Sequence, residues 1–168
     1  MLMEKNVLSP KESNFQNNKR VGLIGGTFNP VHCGHLLLAE MAMSEAGLDE
    51  VWFLPAKNPP HKAGYDILPG EIRKKLIELA IEGNPTFSVC DEELSREGMS
   101  YTFETLLSLR EKYTNTEFFF IMGMDSLCDF GGWKCPDIIL QNSVLLVGDR
   151  NLAGRGKMEE MISILKSA

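Results

Sequence analysis

Two of the chain's three histidines, His32 and His35, stand three residues apart behind the segment Gly25-Gly26-Thr27-Phe28-Asn29-Pro30-Val31. That segment follows the short apolar run 21–24 and precedes the apolar-rich stretch 36–48, the pattern of a strand, a glycine turn and a helix. Paired glycines allow backbone geometry closed to other residues and let a ligand come close to the main chain. Gly34 and His35 then open the helix, whose first N–H groups have no partner within it and attract phosphate. Two imidazoles beside such an anion site suit phosphoryl or nucleotidyl transfer, in which hydrogen-bond donors hold phosphates and stabilise charge at the reacting phosphorus. A lone histidine would be read as structural, and the spacing here reverses that. A metal pair on one helix is excluded because His32 lies before the helix and no third ligand is near, so no metal ligand is assigned.

Other residues fit the same chemistry. Pro59 and Pro60 stiffen the chain just before His61 and Lys62, lowering the entropy cost of presenting them to an anion, with Lys57 beside them. Tyr101 and Trp133 offer flat faces on which a ring could stack, and Trp133 reads equally well as a core residue. Thr27 and Phe28 read as a turn residue and a core aromatic, and Asn29 as a turn residue that, lacking charge, serves neither as a metal carboxylate nor as a base. Asp125 follows an apolar run and reads as a helix N-cap. Arg73, next to Lys74 and Lys75, reads as part of a solvated helix face, and Cys33 as a spacer.

The elements that must position these residues are legible as well. Unbroken apolar runs at 21–24, 51–54, 118–122 and 144–147, with a weaker one at 87–90, are expected of parallel strands buried on both faces. Helical patterns lie between them. Ile72, Leu76, Leu79 and Ala80 repeat at helical spacing between Pro69 and Gly83, and Phe103, Leu106 and Leu107 do so after Thr102, a fitting N-cap. Alternation of this kind predicts an α/β fold, a Rossmann-like doubly wound parallel sheet of about five strands with helices on both faces. Ligands in such sheets bind at the carboxyl ends of the strands. Residues 25–35, 57–62, Gly123 with Asp125, and Asp149 with Arg150 all follow strands, so these loops should converge on one edge.

Composition sets the limits. A chain of 168 residues suits one domain, large enough to bury roughly two thirds of its unfolded surface. The largely polar residues 1–19 are expected to be a flexible N-terminal extension before a domain at 20–168. No apolar run approaches the roughly 20 residues that would span a bilayer. A net charge of −6 excludes nonspecific nucleic-acid binding but leaves room for local positive potential at a nucleotide site. Four cysteines without a C-x-x-C pair argue against zinc and disulfides and point to the reducing cytoplasm. Nothing in the sequence reads out an oligomeric state.

The glycine-rich turn leading into His-x-Gly-His resembles the signature of the nucleotidyltransferase superfamily that shares its ancestral site with class I aminoacyl-tRNA synthetases. Pro55-Ala56-Lys57-Asn58-Pro59-Pro60-His61-Lys62, Ser100-Tyr101-Thr102 with Thr105-Leu106, Gly123-Met124-Asp125-Ser126 and Trp133 fall in the order and spacing of bacterial nicotinate mononucleotide adenylyltransferases. The resemblance implies adenylyl transfer from ATP to nicotinate mononucleotide, giving nicotinate adenine dinucleotide and pyrophosphate, with Mg²⁺ accompanying ATP. It implies catalysis by His32 and His35, and ATP binding by Gly25, Gly26, Thr27, Phe28, His35, Gly123 and Asp125. It implies mononucleotide binding by His61, Lys62, Tyr101, Thr102 and Trp133. Many members carry aspartate where Asn29 stands. Members usually continue into a segment resembling Ile-Ser-Ser-Thr-x-Ile-Arg, whereas residues 161–168 read as an amphipathic helix, so the expectation is that the C-terminal part of the family domain is missing. The rival readings are a nicotinamide mononucleotide or another phosphomonoester as acceptor, and a nucleotide-binding module with impaired catalysis.

Overall fold

The computed structural model describes residues 3–4, 18–58 and 66–148. The elements run β1 (Met3–Glu4), β2 (Lys19–Gly26), α1 (Cys33–Ala46), β3 (Glu50–Pro55), α2 (Gly70–Ala80), β4 (Phe87–Val89), α3 (Glu92–Ser95), α4 (Thr102–Lys112), β5 (Thr116–Gly123), α5 (Met124–Asp129), a 3-10 turn (Phe130–Gly132), α6 (Pro136–Asn142) and β6 (Val144–Gly148). The sheet order is β1-β6-β5-β2-β3-β4, with β1 antiparallel at the edge and the other five strands parallel. This is the doubly wound α/β sheet that the alternating pattern predicts. Met3 and Glu4, within the expected N-terminal extension, pair with Gly148 and Val147 of β6. The expectations for His61, Lys62, Asp149, Arg150 and residues 161–168 lie outside the described residues.

The parallel strands lack polar alternation because both of their faces are covered. Along β5, Phe119 and Ile121 join one core with Ala39, Ala42 and Ala46 of α1 and Ile77 of α2. Phe118, Phe120 and Met122 join a second core with Leu106 and Leu109 of α4 and Ile139 of α6. Alanines on α1 let that helix lie close to the sheet, and Gly22 makes the same allowance from the strand. A Cβ on Gly22 would stand 2.7 Å from Leu48 Cδ1 and 2.8 Å from Ile121 Cδ1. Gly47, at φ 61, ends α1, and Leu48 N–H turns back to Met43 O at 3.0 Å.

Three helix and strand boundaries differ from the sequence expectations. Gly25 and Gly26 are the last rungs of β2, paired with Leu54 and Pro55, so the turn begins at Thr27. Tyr101 is the N-cap of α4 and Thr102 its first helical residue, while Gly123 caps α5 and Asp125 lies in its first turn. In the two helices the residue expected as cap lies one or two positions inside, because each helix begins earlier than expected, at Thr102 and at Met124.

The larger correction is Arg73. Helix α2 does not bury Ile72 and Leu79, which are 47% and 56% exposed; it buries Ile77 and Arg73, the latter only 1% exposed. The Arg73 guanidinium donates to Leu68 O at 2.8 Å, to Thr27 O at 2.6 Å and to Ala56 O at 2.7 Å. Burial draws its pKa down, and the three carbonyl dipoles compensate for the lost water. The side chain thus ties the end of β2, the end of β3 and the start of α2 into one unit.

Replacing Arg73 by Met should lower unfolding stability by about 2–4 kcal/mol, since one buried and two partly buried acceptors lose a charged donor. Arg73→Lys should recover only part of the loss, because one ammonium cannot fan out to three carbonyls. Urea unfolding of the variants measures this, and a loss under about 1 kcal/mol for Arg73→Met would show that the carbonyls find other donors.

Candidate active site

Strands β3 and β4 lie to one side of β2, and β5 and β6 to the other. The strand order therefore reverses between the parallel β2 and β5, and the crevice beyond their carboxyl ends is where open α/β sheets bind ligands. Gly25 and Gly26 end one wall of that crevice and Gly123 ends the other. A Cβ built on Gly123 meets nothing within 4 Å, which leaves open space above its backbone.

From Gly26 the chain turns through Phe28, at φ 48, a left-handed conformation that costs a non-glycine residue about 1–2 kcal/mol. Burial of the ring, 2% exposed, offsets that cost. The Phe28 ring meets His35 edge-on with centroids 4.9 Å apart and Phe53 at 5.9 Å, so it serves as a shelf under His35. Asn29 uses both ends of its amide: Nδ2 donates to Asp66 O at 3.1 Å, and Oδ1 accepts Leu68 N–H at 3.0 Å. A carboxylate could not donate the first of these bonds, so asparagine here is a two-way clamp as well as the turn residue expected.

His32 caps α1 and His35 lies three positions on, within its first turn, with the imidazoles stacked at 3.7 Å between centroids. His32 N–H donates to His35 Nδ1 at 3.2 Å. An accepting Nδ1 places the proton of a neutral His35 ring on Nε2. His35, Gly25, Gly123, Asp125 and Trp133 line one cavity of about 340 Å³. Among the described residues no group of three or more His, Cys, Asp or Glu side chains could hold a metal ion.

A second cavity, of about 420 Å³, is lined by Ser100, Tyr101, Thr102, Trp133 and Lys134. Trp133 belongs to both cavities and forms the wall between them. Its ring packs on Phe130 at 5.5 Å and on Phe120 at 6.0 Å, so the core reading of this residue holds even as it borders both cavities. Gly26, Thr27, Phe28 and His32 line neither cavity. Thr27 contributes its carbonyl to Arg73 and Phe28 its ring to His35.

The loop before Tyr101 is held by groups that sequence reasoning missed. Ser100 Oγ accepts the N–H groups of Lys57 at 3.0 Å and Asn58 at 3.3 Å, and the Lys57 ammonium donates to Arg96 O at 3.0 Å. The Lys57 ammonium is therefore tied to a backbone carbonyl. The Ser100 hydroxyl also bonds the carboxyl of Glu93, which is 6% exposed and accepts from Thr105 Oγ1 at 3.0 Å. Burial pushes the Glu93 carboxyl above its ordinary range, against the lowering by these hydroxyls and by Arg96. Nothing in the acidic run Asp91-Glu92-Glu93 marks the third carboxylate as the buried one.

The crevice, the helix-borne imidazole pair and the two adjoining cavities define a nucleotide-handling α/β protein, and residues 23–166 match the Cytidylyltransferase-like family. The chain belongs to that family. It is 46% identical over 133 residues to a protein of Lachnoclostridium phytofermentans named "Probable nicotinate-nucleotide adenylyltransferase", a match covering 79% of this chain and 66% of that one. A protein of the same name from Salinibacter ruber is 44% identical over 130 residues, covering 77% and 67%. The chain thus spans about two thirds of the length of these curated relatives. Among solved structures, the Plasmodium falciparum nicotinic acid mononucleotide adenylyltransferase complexed with NaAD shares the fold, with a TM-score of 0.65 at 17% identity over 80% of this chain and 77% of that one.

A raised folded-state pKa means that the contribution of protonated Glu93 to stability is complete below the ordinary glutamate value of about 4.3 and is lost as pH rises through the folded value. Glu93→Gln should therefore gain thermal stability relative to the parent as pH rises from about 4 to 7. Melting temperatures of both proteins across that range give the test, and a constant difference would mean that Glu93 does not titrate as its burial requires.

Proposed function

We propose that the protein transfers the adenylyl group of ATP to nicotinate mononucleotide, forming nicotinate adenine dinucleotide and pyrophosphate, a step in NAD biosynthesis. One observation carries the reading: a cavity at the carboxyl ends of β2 and β5 adjoins a second cavity, and the two share Trp133 as their wall. A reaction joining two nucleotides needs two adjoining sites with the reacting phosphates at their boundary. The names of the curated relatives support the same assignment.

In this reading the cavity of Gly25, His35, Gly123 and Asp125 receives ATP, while Gly26, Thr27 and Phe28 form the turn behind it, with the Phe28 ring supporting His35. The cavity of Tyr101, Thr102 and Trp133 receives the pyridine nucleotide. A 5′-phosphate oxygen of the mononucleotide attacks the α-phosphorus in line, and pyrophosphate leaves on the opposite side. His35 Nε2 and His32 stabilise the charge that develops there, so the protein supplies position and donors without a covalent intermediate. Mg²⁺ arrives with ATP as part of the substrate, held by phosphate oxygens and water, as suits a site without a carboxylate cluster among the described residues. His61 and Lys62 complete the mononucleotide phosphate site. Among the described residues nearby, Lys57 and Asn58 are held by Ser100, and Asp66 and Leu68 by Asn29 and Arg73. Substrates of this kind place the enzyme in the cytoplasm.

Dinucleotide formation from Mg-ATP, with nicotinate and nicotinamide mononucleotides offered in parallel, tests the proposal. His32→Ala and His35→Ala should each lower kcat by about 10²–10³-fold, the usual cost of losing a transition-state donor, while calorimetric affinity for the mononucleotide is kept. Normal turnover in either variant would remove that histidine from the chemistry. Mononucleotide affinity in the parent protein without any product would instead identify a nucleotide-binding module.

A further inference from the structure

Six lysines lie among the described residues, and five of them have polar partners. Lys19, Lys74, Lys75 and Lys112 pair with carboxylates, and Lys57 donates to a backbone carbonyl. Lys134 alone, among the described residues, rests its ammonium on aromatic rings, with Nζ 4.2 Å from the centroid of Tyr101 and 5.7 Å from that of Phe103. It does so at the wall of the cavity lined by Ser100, Tyr101 and Thr102. A cation on a ring face keeps its charge and most of its hydrogen-bonding capacity, since the quadrupole accepts no directed hydrogen bond as a carboxylate would.

The backbone that presents Lys134 is well held. Trp133 N–H donates to Phe130 O at 3.0 Å on one side, and on the other Cys135 sits at φ 52 as the cap of α6, its carbonyl accepting from Ile138 N–H at 3.1 Å. Lys134 therefore sits between a fixed wall residue and a fixed helix start, and the ring of Tyr101 sets where its ammonium rests.

We propose that Lys134 is the specificity-determining residue that reads the acid on the pyridine ring, an inference that rests on the function proposed above. The ring of either mononucleotide is a pyridinium and carries positive charge at its nitrogen. With a carboxylate on the ring, the ammonium gains an ion pair that outweighs its repulsion from the ring. With a carboxamide in the same place the repulsion remains and the ion pair is gone, so one side chain both favours the acid and rejects the amide.

Calorimetric titration of nicotinate and nicotinamide mononucleotides into the parent protein, Lys134→Gln and Lys134→Arg tests this, together with kcat and KM for dinucleotide formation. Lys134 is exposed and its replacement leaves the core untouched. Lys134→Gln should weaken nicotinate mononucleotide about 10–100-fold, as expected for a lost charged hydrogen bond, through KM rather than kcat, and should leave the nicotinamide compound unchanged or tighter. Lys134→Arg should keep most of the preference for the acid. A Gln variant that discriminates within twofold of the parent, in a parent that does bind nicotinate mononucleotide, overturns the role of Lys134 and leaves the proposed function standing. A parent that binds neither mononucleotide overturns both.

Discussion

The buried guanidinium of Arg73 is the interaction on which the arrangement of the site rests. Parallel strands end in backbone carbonyls to which no neighbouring strand donates, and here the carbonyls after β2 and β3 take their donors from Arg73. Without it the buried Ala56 carbonyl would be left unsatisfied. One planar fork meets Thr27 O, Ala56 O and Leu68 O together, and a guanidinium is the only side chain with enough fixed donors to do so. Asn29 repeats the device on a smaller scale, bonding the backbone of residues 66 and 68 from the same turn. The loop that bears the imidazole pair is thereby registered against the segment leading into α2 by bonds to main chain rather than by packing alone.

On the other side of the crevice the same logic uses hydroxyls. Ser100 Oγ accepts two backbone N–H groups from the loop after β3 and hydrogen-bonds Glu93, whose carboxyl is further held by Thr105 on α4. A buried carboxylate is an expensive anchor. Its benefit is positional: it fixes the residue immediately before Tyr101 and Thr102, and so the mouth of the second cavity. The wall between the cavities, Trp133, is in turn wedged against Phe120 of β5 and Phe130, so its position follows from the sheet.

Much of the fold was legible without coordinates, for a physical reason. Strands covered on both faces must be apolar at every position, so the runs around residues 21–24, 118–122 and 144–147 declare themselves, and the loops after them inherit a common edge. Gly25, His35, Gly123 and Asp125 do converge there, and Tyr101, Thr102 and Trp133 gather beside them. The spacing of the imidazole pair at the head of a helix was legible because the positions involved are local. Boundaries were read less well, since Gly25 and Gly26 look like a turn by composition and yet remain in the ladder.

The sequence by itself therefore determined the alternation of strands and helices, the edge of the sheet at which the loops after the strands gather and the family to which the chain belongs. Only the tertiary structure decided which polar residues are structural. Arg73 lies beside two lysines and has the composition of a solvated face, but its partners are 46, 17 and 5 residues away, and they are carbonyls that every residue carries. A hydrogen bond to main chain leaves no complementary residue type for a sequence to display. The same holds for Asn29, Ser100 and Glu93, and for Lys134, whose place over Tyr101 depends on how α4 and α6 pack against the sheet. Periodicity records what a residue does to its own element; what it does to a distant backbone is set when the chain closes up.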